Sequence, residues 1–549
     1  MSRRAKNILF IMCDQLRWDY LSCYGHPRLQ TPNIDALAAR GVRFRRAYVQ
    51  SPVCGPSRMS FYTGRYVASH GATWNGVPLK VGEMTLGDYL RPLGVRTALV
   101  GKTHMRADEE GMQRLGIDPS SVIGVRVSEC GFDPYERDDG LHAVGPDGRY
   151  DPQVPRYNRY LNDKGYAGDN PWHDWANAAQ GEGNKLASGW AMRHAKKPAR
   201  VKEEDSETPY MTRRAMDFMT EAGDRPWCLH LSYIKPHWPY IAPAPYNALY
   251  GPQDVLPAVR SEEERRDPHP IYREFMDLRV SSAFAREEVR AEVIPVYMGL
   301  IKQIDDQLGV LFRFMEECGL MENTLIVFTS DHGDYLGDHW LGEKDLFHEP
   351  SVKVPLIVCD PSPEADKARG SVCDALVEAI DLVPTFLDAL GADWRRQSHR
   401  LEGRSLVPLF GGGAPAQWRR YAVSEDDYSL LPVAARLGVA PRDARLFMVA
   451  DGRWKYVHAI GFRPMHYDLQ SDPDELRDLG ADPAFAAERA RLAAALEQWS
   501  LRQSQRTTRS EEEMLAARGE APRHGILIGV WDESDVPAEL WSRYLGDDK

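Results

Sequence analysis

The chain has 549 residues, 43% of them hydrophobic and 27% charged, which is the balance of a folded globular protein and excludes a disordered chain, a collagen-like fibre and a coiled coil. Acidic residues number 80 and basic ones 68, a formal charge of −12. That argues against a nucleic-acid partner, yet it leaves room for an anionic ligand held by local cations.

Taken in chain order, a basic start (Arg3, Arg4, Lys6) precedes the apolar run 8–13. The run is too short for a signal-peptide core and no small-residue cleavage site follows, so a buried first strand over 7–13 is expected. A helix over 34–39 follows Thr31-Pro32 and stops before Gly41. Another over 85–93 stops at Gly94, ahead of a strand at 96–100. Residues 106–209 break the rhythm. They are rich in Gly, Pro, Asp, Asn and Trp, and read either as an insertion that shapes a pocket or as a surface excursion. Next come a helix over 211–222, a strand over 227–233 and a long helix over 287–317. In the long helix Val293, Tyr297, Leu300, Ile301, Ile304, Leu308, Leu311, Phe312 and Met315 form one stripe. Strands follow at 324–329 and 354–359. Most strand runs are continuous rather than alternating, as in strands buried on both faces. The alternation of strand and helix predicts an α/β fold around a largely parallel sheet.

Near residue 420 the texture changes. Runs 446–450 and 454–458 flank Asp451-Gly452, a hairpin signal. A strand at 465–469 and an Ala-rich helix over 483–503 complete a small antiparallel α+β unit. The expected domains are 1–420, 421–505 and a tail, 506–549, which either wraps a neighbouring subunit in a dimer or tetramer or packs on its own domain. No run approaches the ~20 apolar residues of a membrane span. The 8 cysteines (13, 23, 54, 130, 228, 318, 359 and 373) are scattered without a C-x-x-C pair, which favours a reducing, cytoplasmic home.

Polar clusters follow the strands directly, where open α/β sheets bind ligands. Asp14-Gln15 offers a carboxylate and a carboxamide to a hard divalent cation. Cys54-Gly55-Pro56-Ser57-Arg58 suits a helix start, with Cys54 where backbone N–H groups favour negative charge. Gly101-Lys102-Thr103-His104 places a Lys and a His two apart, on one side of an extended segment. Ser330-Asp331-His332-Gly333-Asp334 carries metal-ligand chemistry, with Lys344 and His348 downstream. Lys235-Pro236-His237 places another His at a strand end.

Together these clusters resemble the sulfatase family of the alkaline phosphatase superfamily. Cys54-Gly55-Pro56-Ser57-Arg58 matches its C-x-P-x-R maturation signature, and continues into Thr63-Gly64-Arg65. The Lys102, His237 and Asp331 clusters follow in family order. Trp454-Lys455-Tyr456, Tyr467-Asp468-Leu469 and Asp472-Pro473 are similar to its small domain. The resemblance spans roughly residues 5–500, where several ordered motifs constrain one another.

The resemblance implies an alkaline-phosphatase-like fold, with a large mixed, mostly parallel sheet flanked by helices. It implies that a formylglycine-generating enzyme oxidises Cys54, and that the hydrated aldehyde, a gem-diol, is the nucleophile. Asp14, Gln15, Cys54, Asp331 and His332 would form the metal site. Many relatives carry a second acid where Gln15 stands and Asn where His332 stands. Calcium and manganese both remain open, with His332 leaning toward manganese. Lys102 and Lys344 would hold the non-bridging oxygens, His237 would act as general acid, His104 as base, and Arg58 would orient the diol. Asn75, in Trp74-Asn75-Gly76, either donates to the substrate or serves as a turn residue. The expected substrate is a small-molecule sulfate monoester, by an arylsulfatase-like hydrolysis, or a phosphonate monoester or phosphodiester on the same nucleophile. Lys102 and His104 favour sulfate. Gln15, His332 and Asn75 favour phosphorus, or an enzyme acting on both.

Overall fold

The first apolar run becomes strand β1, Asn7–Asp14, buried along its whole length. Its lack of polar alternation has a direct cause: Ile8, Phe10 and Met12 enter one hydrophobic core, while Leu9, Ile11 and Cys13 enter another on the opposite face of the sheet. The structure is a computed structural model that describes residues 5–140, 156–411, 415, 417–501, 507–518, 520, 524 and 526–546. Parts of the 106–209 stretch (141–155) and of the tail lie outside the described residues.

Further strands are β2 (Val42–Tyr48), β3 (Arg96–Gly101), β4 (Asp133–Arg137), β5 (Ala178–Gln180), β6 (Leu186–Ser188), β7 (Trp227–Pro236), β8 (Thr324–Ser330), β9 (Leu356–Cys359) and β10 (Ser371–Glu378). Among the described residues, the large sheet has 8 strands in the order β10-β2-β9-β8-β1-β7-β3-β4. Only β9 runs antiparallel to its neighbours. The sheet is mixed and mostly parallel, as expected. β5 and β6 form a separate hairpin.

The strands expected at 7–13, 96–100, 227–233, 324–329 and 354–359 all form, with shifted ends. Three members of the large sheet were not expected. In β2 the arginines 43, 45 and 46 mask the apolar face of Val42, Phe44 and Ala47. β4 and β10 are edge strands that stay partly exposed, so their apolar signal is thin. β4 lies inside the stretch read as an insertion.

The long helix runs over Glu287–Glu317, and its stripe is buried apart from half-buried Phe312. The helix expected at 211–222 begins earlier, at Glu207, and ends at Ala222. The one expected at 85–93 is an α-helix over Leu86–Leu90, closed by a Thr85–Asp88 capping box, and then a 3-10 turn over Arg91–Leu93. Beyond 420, β11 (Ala422–Asp427), β12 (Arg445–Ala450), β13 (Trp454–Ala459) and β14 (Met465–Asp468) form a separate antiparallel sheet. The helix Ala486–Leu501 packs Leu492 and Leu496 against Val423, Val449 and Trp454 of that sheet.

Candidate active site

Strand register brings the clusters together. In the central parallel strands Cys13 lies beside both Tyr233 of β7 and Ser330 of β8, so Asp14-Gln15, His237 and Asp331-His332 all leave the sheet at one carboxyl edge. β3 pairs with β7 and ends at Gly101, which sends Lys102 to the same edge. Gly101 has a φ of 109°, and a Cβ there would meet the Ser232 carbonyl oxygen at 1.9 Å. No other residue type fits that close approach.

The helix Cys54–Thr63 delivers the signature cysteine in its first turn, fully buried. A Cβ on Gly55 would lie 2.7 Å from Asn75 Oδ1; instead the Gly55 N–H donates to that oxygen at 2.7 Å. The amide of Asn75 is thus oriented by the helix start, and its Nδ2 is the end left for another acceptor.

Around Cys54 Sγ stand His332 Nε2 at 3.0 Å, Lys344 Nζ at 3.1 Å and Asp14 Oδ1 at 3.7 Å. Burial and the Asp14 carboxylate push the Cys54 thiol up, but Lys344, His332 and Lys102 outweigh them and hold it below the ordinary thiol value. Arg58 is wholly buried. Its Nε donates to Asp331 Oδ2 at 2.7 Å, Nη2 to Asp14 Oδ2 at 3.3 Å, and Nη1 to the Lys102 carbonyl and Ser232 Oγ. Lys102 Nζ lies 2.5 Å from Asp14 Oδ2. Burial works against the Asp14 charge, and Lys102, His237, Arg58 and His332 overcome it, holding that carboxyl well below its ordinary range.

His332 donates from Nδ1 to the Gly333 carbonyl at 2.8 Å, which turns Nε2 toward Cys54 and Asp14. An imidazole anchored this way has its ligand nitrogen fixed. His332 is raised to about 9: burial opposes the charge, while Asp331 and Cys54 outweigh it. His237 likewise donates from Nδ1, to the Trp238 carbonyl at 2.8 Å, leaving Nε2 3.4 Å from Lys344 Nζ and 4.0 Å from Asp14 Oδ1. Burial drives the His237 pKa well below 6.5, with Lys344 and Lys102 adding to it, so Nε2 presents a lone pair in the free site.

These residues suit a divalent cation. Ligand atoms of Asp14, Cys54, Asp331 and His332 lie within 4.8 Å of one another, all buried. Gln15 Oε1 is buried with no hydrogen-bond partner, the condition of an oxygen meant for a ligand. Oxygens with one imidazole form a donor set open to calcium or manganese.

The cluster lies under a cavity of about 440 Å³ lined by Lys102, His104, His237, Lys344, Asn75 and Trp238, with Trp74, Arg106, Asp139, Glu343 and Leu431 among the rest. His104 does not extend the strand beside Lys102. It has a φ of 55°, and its buried Nδ1 lacks a partner. The chain turns after Lys102, yet Lys102 and His104 both line the cavity, Lys102 also meeting Asp14. His348 packs elsewhere, between the hydroxyls of Tyr335 at 2.8 Å and Tyr272 at 3.2 Å. The sequence reading missed Trp74, Trp238, Arg106, Asp139 and Glu343 as cavity lining. Adjacency to a recognised motif would have found Trp238, Glu343 and Trp74. Leu431, from beyond β11, had no such signal.

The fold and this cluster define a two-sheet α/β protein with a buried, cation-flanked cysteine at the carboxyl edge of its large sheet. The sulfatase family profile matches residues 6–392, and the profile of the N-sulphoglucosamine sulphohydrolase C-terminal region matches 337–502. The chain is 32% identical over 524 residues to the multifunctional alkaline phosphatase superfamily protein PehA of Trinickia caryophylli, across 91% of this chain and 96% of that one. It is 28% identical to an arylsulfatase of Clostridium perfringens, across 70% and 74%. A solved phosphonate monoester hydrolase of Silicibacter pomeroyi superposes with a TM-score of 0.79 at 29% identity, across 92% of this chain and 98% of that one. The chain belongs to the sulfatase family of the alkaline phosphatase superfamily.

Proposed function

We propose that the protein hydrolyses sulfate monoesters in an arylsulfatase-like reaction, with residue 54 acting as formylglycine made from cysteine by a separate formylglycine-generating enzyme. The observation that carries this is Cys54 in the first turn of a buried helix, flanked by His332 at 3.0 Å and Lys344 at 3.1 Å under an open cavity. The hydrated aldehyde would supply a hydroxyl nucleophile, and a divalent ion, Ca²⁺ or Mn²⁺, held by Asp14, Gln15, Asp331, His332 and residue 54 would supply Lewis acidity.

The chain's own residues then divide the work. Arg58 fixes the two carboxylates of Asp14 and Asp331 against each other and so sets the geometry around residue 54. Lys102 and Lys344 face the non-bridging oxygens and offset their charge. Burial keeps His237 neutral in the free site, so Nε2 would accept the proton released by the attacking hydroxyl of residue 54 and pass it to the leaving oxygen. His104, whose Nδ1 has no partner, would act as the base toward residue 54 when sulfate is released and the aldehyde re-forms. Asn75 Nδ2 donates to a substrate oxygen. Arg106, Asp139 and Trp190 come from the 106–209 stretch; the first two line the cavity and Trp190 packs on Trp238 with ring centroids 4.9 Å apart. That stretch therefore helps to select the alcohol.

A second reading, hydrolysis of phosphonate monoesters or phosphodiesters on the same site, is favoured by Gln15 and His332 and by the likeness to the Silicibacter pomeroyi enzyme. Comparing kcat/KM on an aryl sulfate, an aryl phosphonate and an aryl phosphodiester decides between them. Sulfate turnover below both phosphorus esters by about two orders of magnitude or more, roughly 2.7 kcal/mol in the barrier, would reject the first reading. Intact mass tests the modification, since formylglycine is about 18 Da lighter than cysteine, the difference between CH₂–SH and CHO.

Assembly as a dimer or tetramer through the tail is supported by Ile528 and Trp531, 91% and 93% exposed. A cytoplasmic home is supported by the unpaired state of all the cysteines. No helix among the described residues is long and apolar enough to cross a membrane.

A further inference from the structure

Gln15 is held at every polar atom but one. Its N–H donates to Asp331 Oδ1 at 3.0 Å, and its carbonyl accepts from the Tyr297 hydroxyl at 2.7 Å. Its side-chain Nε2 donates to Asp334 Oδ2 at 2.6 Å and lies 3.4 Å from the Tyr240 hydroxyl. Only Oε1 is without a partner. The backbone of Gln15 is in the left-handed region, with a φ of 62°, a conformation that persists where the surroundings over-determine it.

Asp334 is wholly buried and already committed. Oδ2 also accepts from the Tyr240 hydroxyl at 2.7 Å, and Oδ1 accepts from the Leu336 N–H at 3.0 Å. A carboxamide has one donating end and one accepting end, whereas an ionised carboxylate only accepts. Asp334 therefore selects the Nε2 end and leaves Oε1 on the far side.

We propose that Asp334, with Tyr240, is a positioning pair that holds Gln15 Oε1 as an oxygen ligand for the divalent cation of the Asp14, Asp331 and His332 cluster. The proposal rests on the metal reading of that cluster and goes further, by assigning two residues that touch neither substrate nor cation. It also gives a reason for the amide at position 15. A carboxylate there would face Asp334 with no proton between them, so in this chain the second acid seen in many relatives is replaced by a group that can both donate to Asp334 and coordinate.

The test measures Mn²⁺ binding to the full-length protein without substrate, by calorimetry and by the electron paramagnetic resonance signal of free Mn²⁺. Asp334→Asn sets one amide against another and should weaken binding about 10–100-fold, the usual range for losing an orienting partner. Tyr240→Phe removes one hydroxyl and should weaken it about threefold. The double variant Gln15→Glu with Asp334→Asn exchanges donor and acceptor, and should restore binding to within about threefold of the unaltered protein. An Asp334→Asn affinity within about twofold of the original, or a double variant no tighter than Asp334→Asn alone, would overturn the proposal. If Asp334→Asn does not fold, Tyr240→Phe decides, and an unchanged affinity there overturns it. Unaltered protein that binds neither Mn²⁺ nor Ca²⁺ would overturn the metal reading itself, and the positioning role with it.

Discussion

Two buried lysines show how differently the same side chain can be used. Lys455, on β13, is fully buried and spends its ammonium on the Phe347 carbonyl at 2.8 Å, Glu349 Oε1 at 2.9 Å and Glu475 Oε1 at 2.6 Å. Tyr48 from β2 joins through the Glu349 carboxylate at 2.9 Å. Two hydrogen bonds and one ion pair occupy the ammonium, and the cluster ties the small sheet to the large one. Lys344 is also buried, but it meets Cys54 Sγ, His237 Nε2 and Glu343 Oε1 at 3.1–3.4 Å and faces the cavity. The first arrangement is closed and holds structure. The second makes longer contacts that open on the cavity, beside a Gln15 oxygen with no partner, and buried polar groups left facing a cavity are where chemistry is done.

Breaking each side of this comparison should give different readouts. The largest effect is expected from Cys54→Ala, which should lower kcat/KM on the preferred ester by about 10⁴-fold or more because the nucleophile is gone. Retention of full turnover by that variant would refute the mechanism. Lys455→Met leaves Glu475 buried without its cation and Glu349 with Lys353 alone, and should cost about 3–5 kcal/mol of stability in denaturant titration. The folded fraction should keep its catalytic rate, since Lys455 does not line the cavity. Lys344→Ala should do the reverse, cutting kcat by about 10²–10³-fold, as for loss of one donor to developing charge, with little change in melting temperature. If Lys344→Ala instead destabilises the fold as much as Lys455→Met, the contrast between the two clusters fails. Truncation at Arg509 is the mildest test. Light scattering should report a smaller assembly while turnover on a small aryl ester is unchanged.

Much of the site was legible in the sequence because of where its residues sit. Asp14, Lys102, His237 and Asp331 each follow an apolar run that had to be a strand, and parallel strands place their carboxyl ends on one edge. The C-x-P-x-R run suits a helix start at Cys54, and the helix begins there. Other features were not local. β2 was hidden because its arginines alternate with its buried residues, and a strand with one polar face resembles a loop until its neighbours are known. The turn at His104 and the orientation of the Asn75 amide depend on contacts with distant backbone.

The central strands, the placing of a nucleophile candidate at a helix start and the sign of its neighbours followed from the sequence alone, because periodicity and motif spacing are properties of the chain. Which carboxylate each cation meets, which end of the Gln15 amide is free, and which lysine is closed and which open were decided only by the tertiary structure. Those outcomes turn on distances between residues as far apart as 14 and 331 in the chain, and hydrogen-bond partnership is settled within a few tenths of an ångström after the sheet has formed.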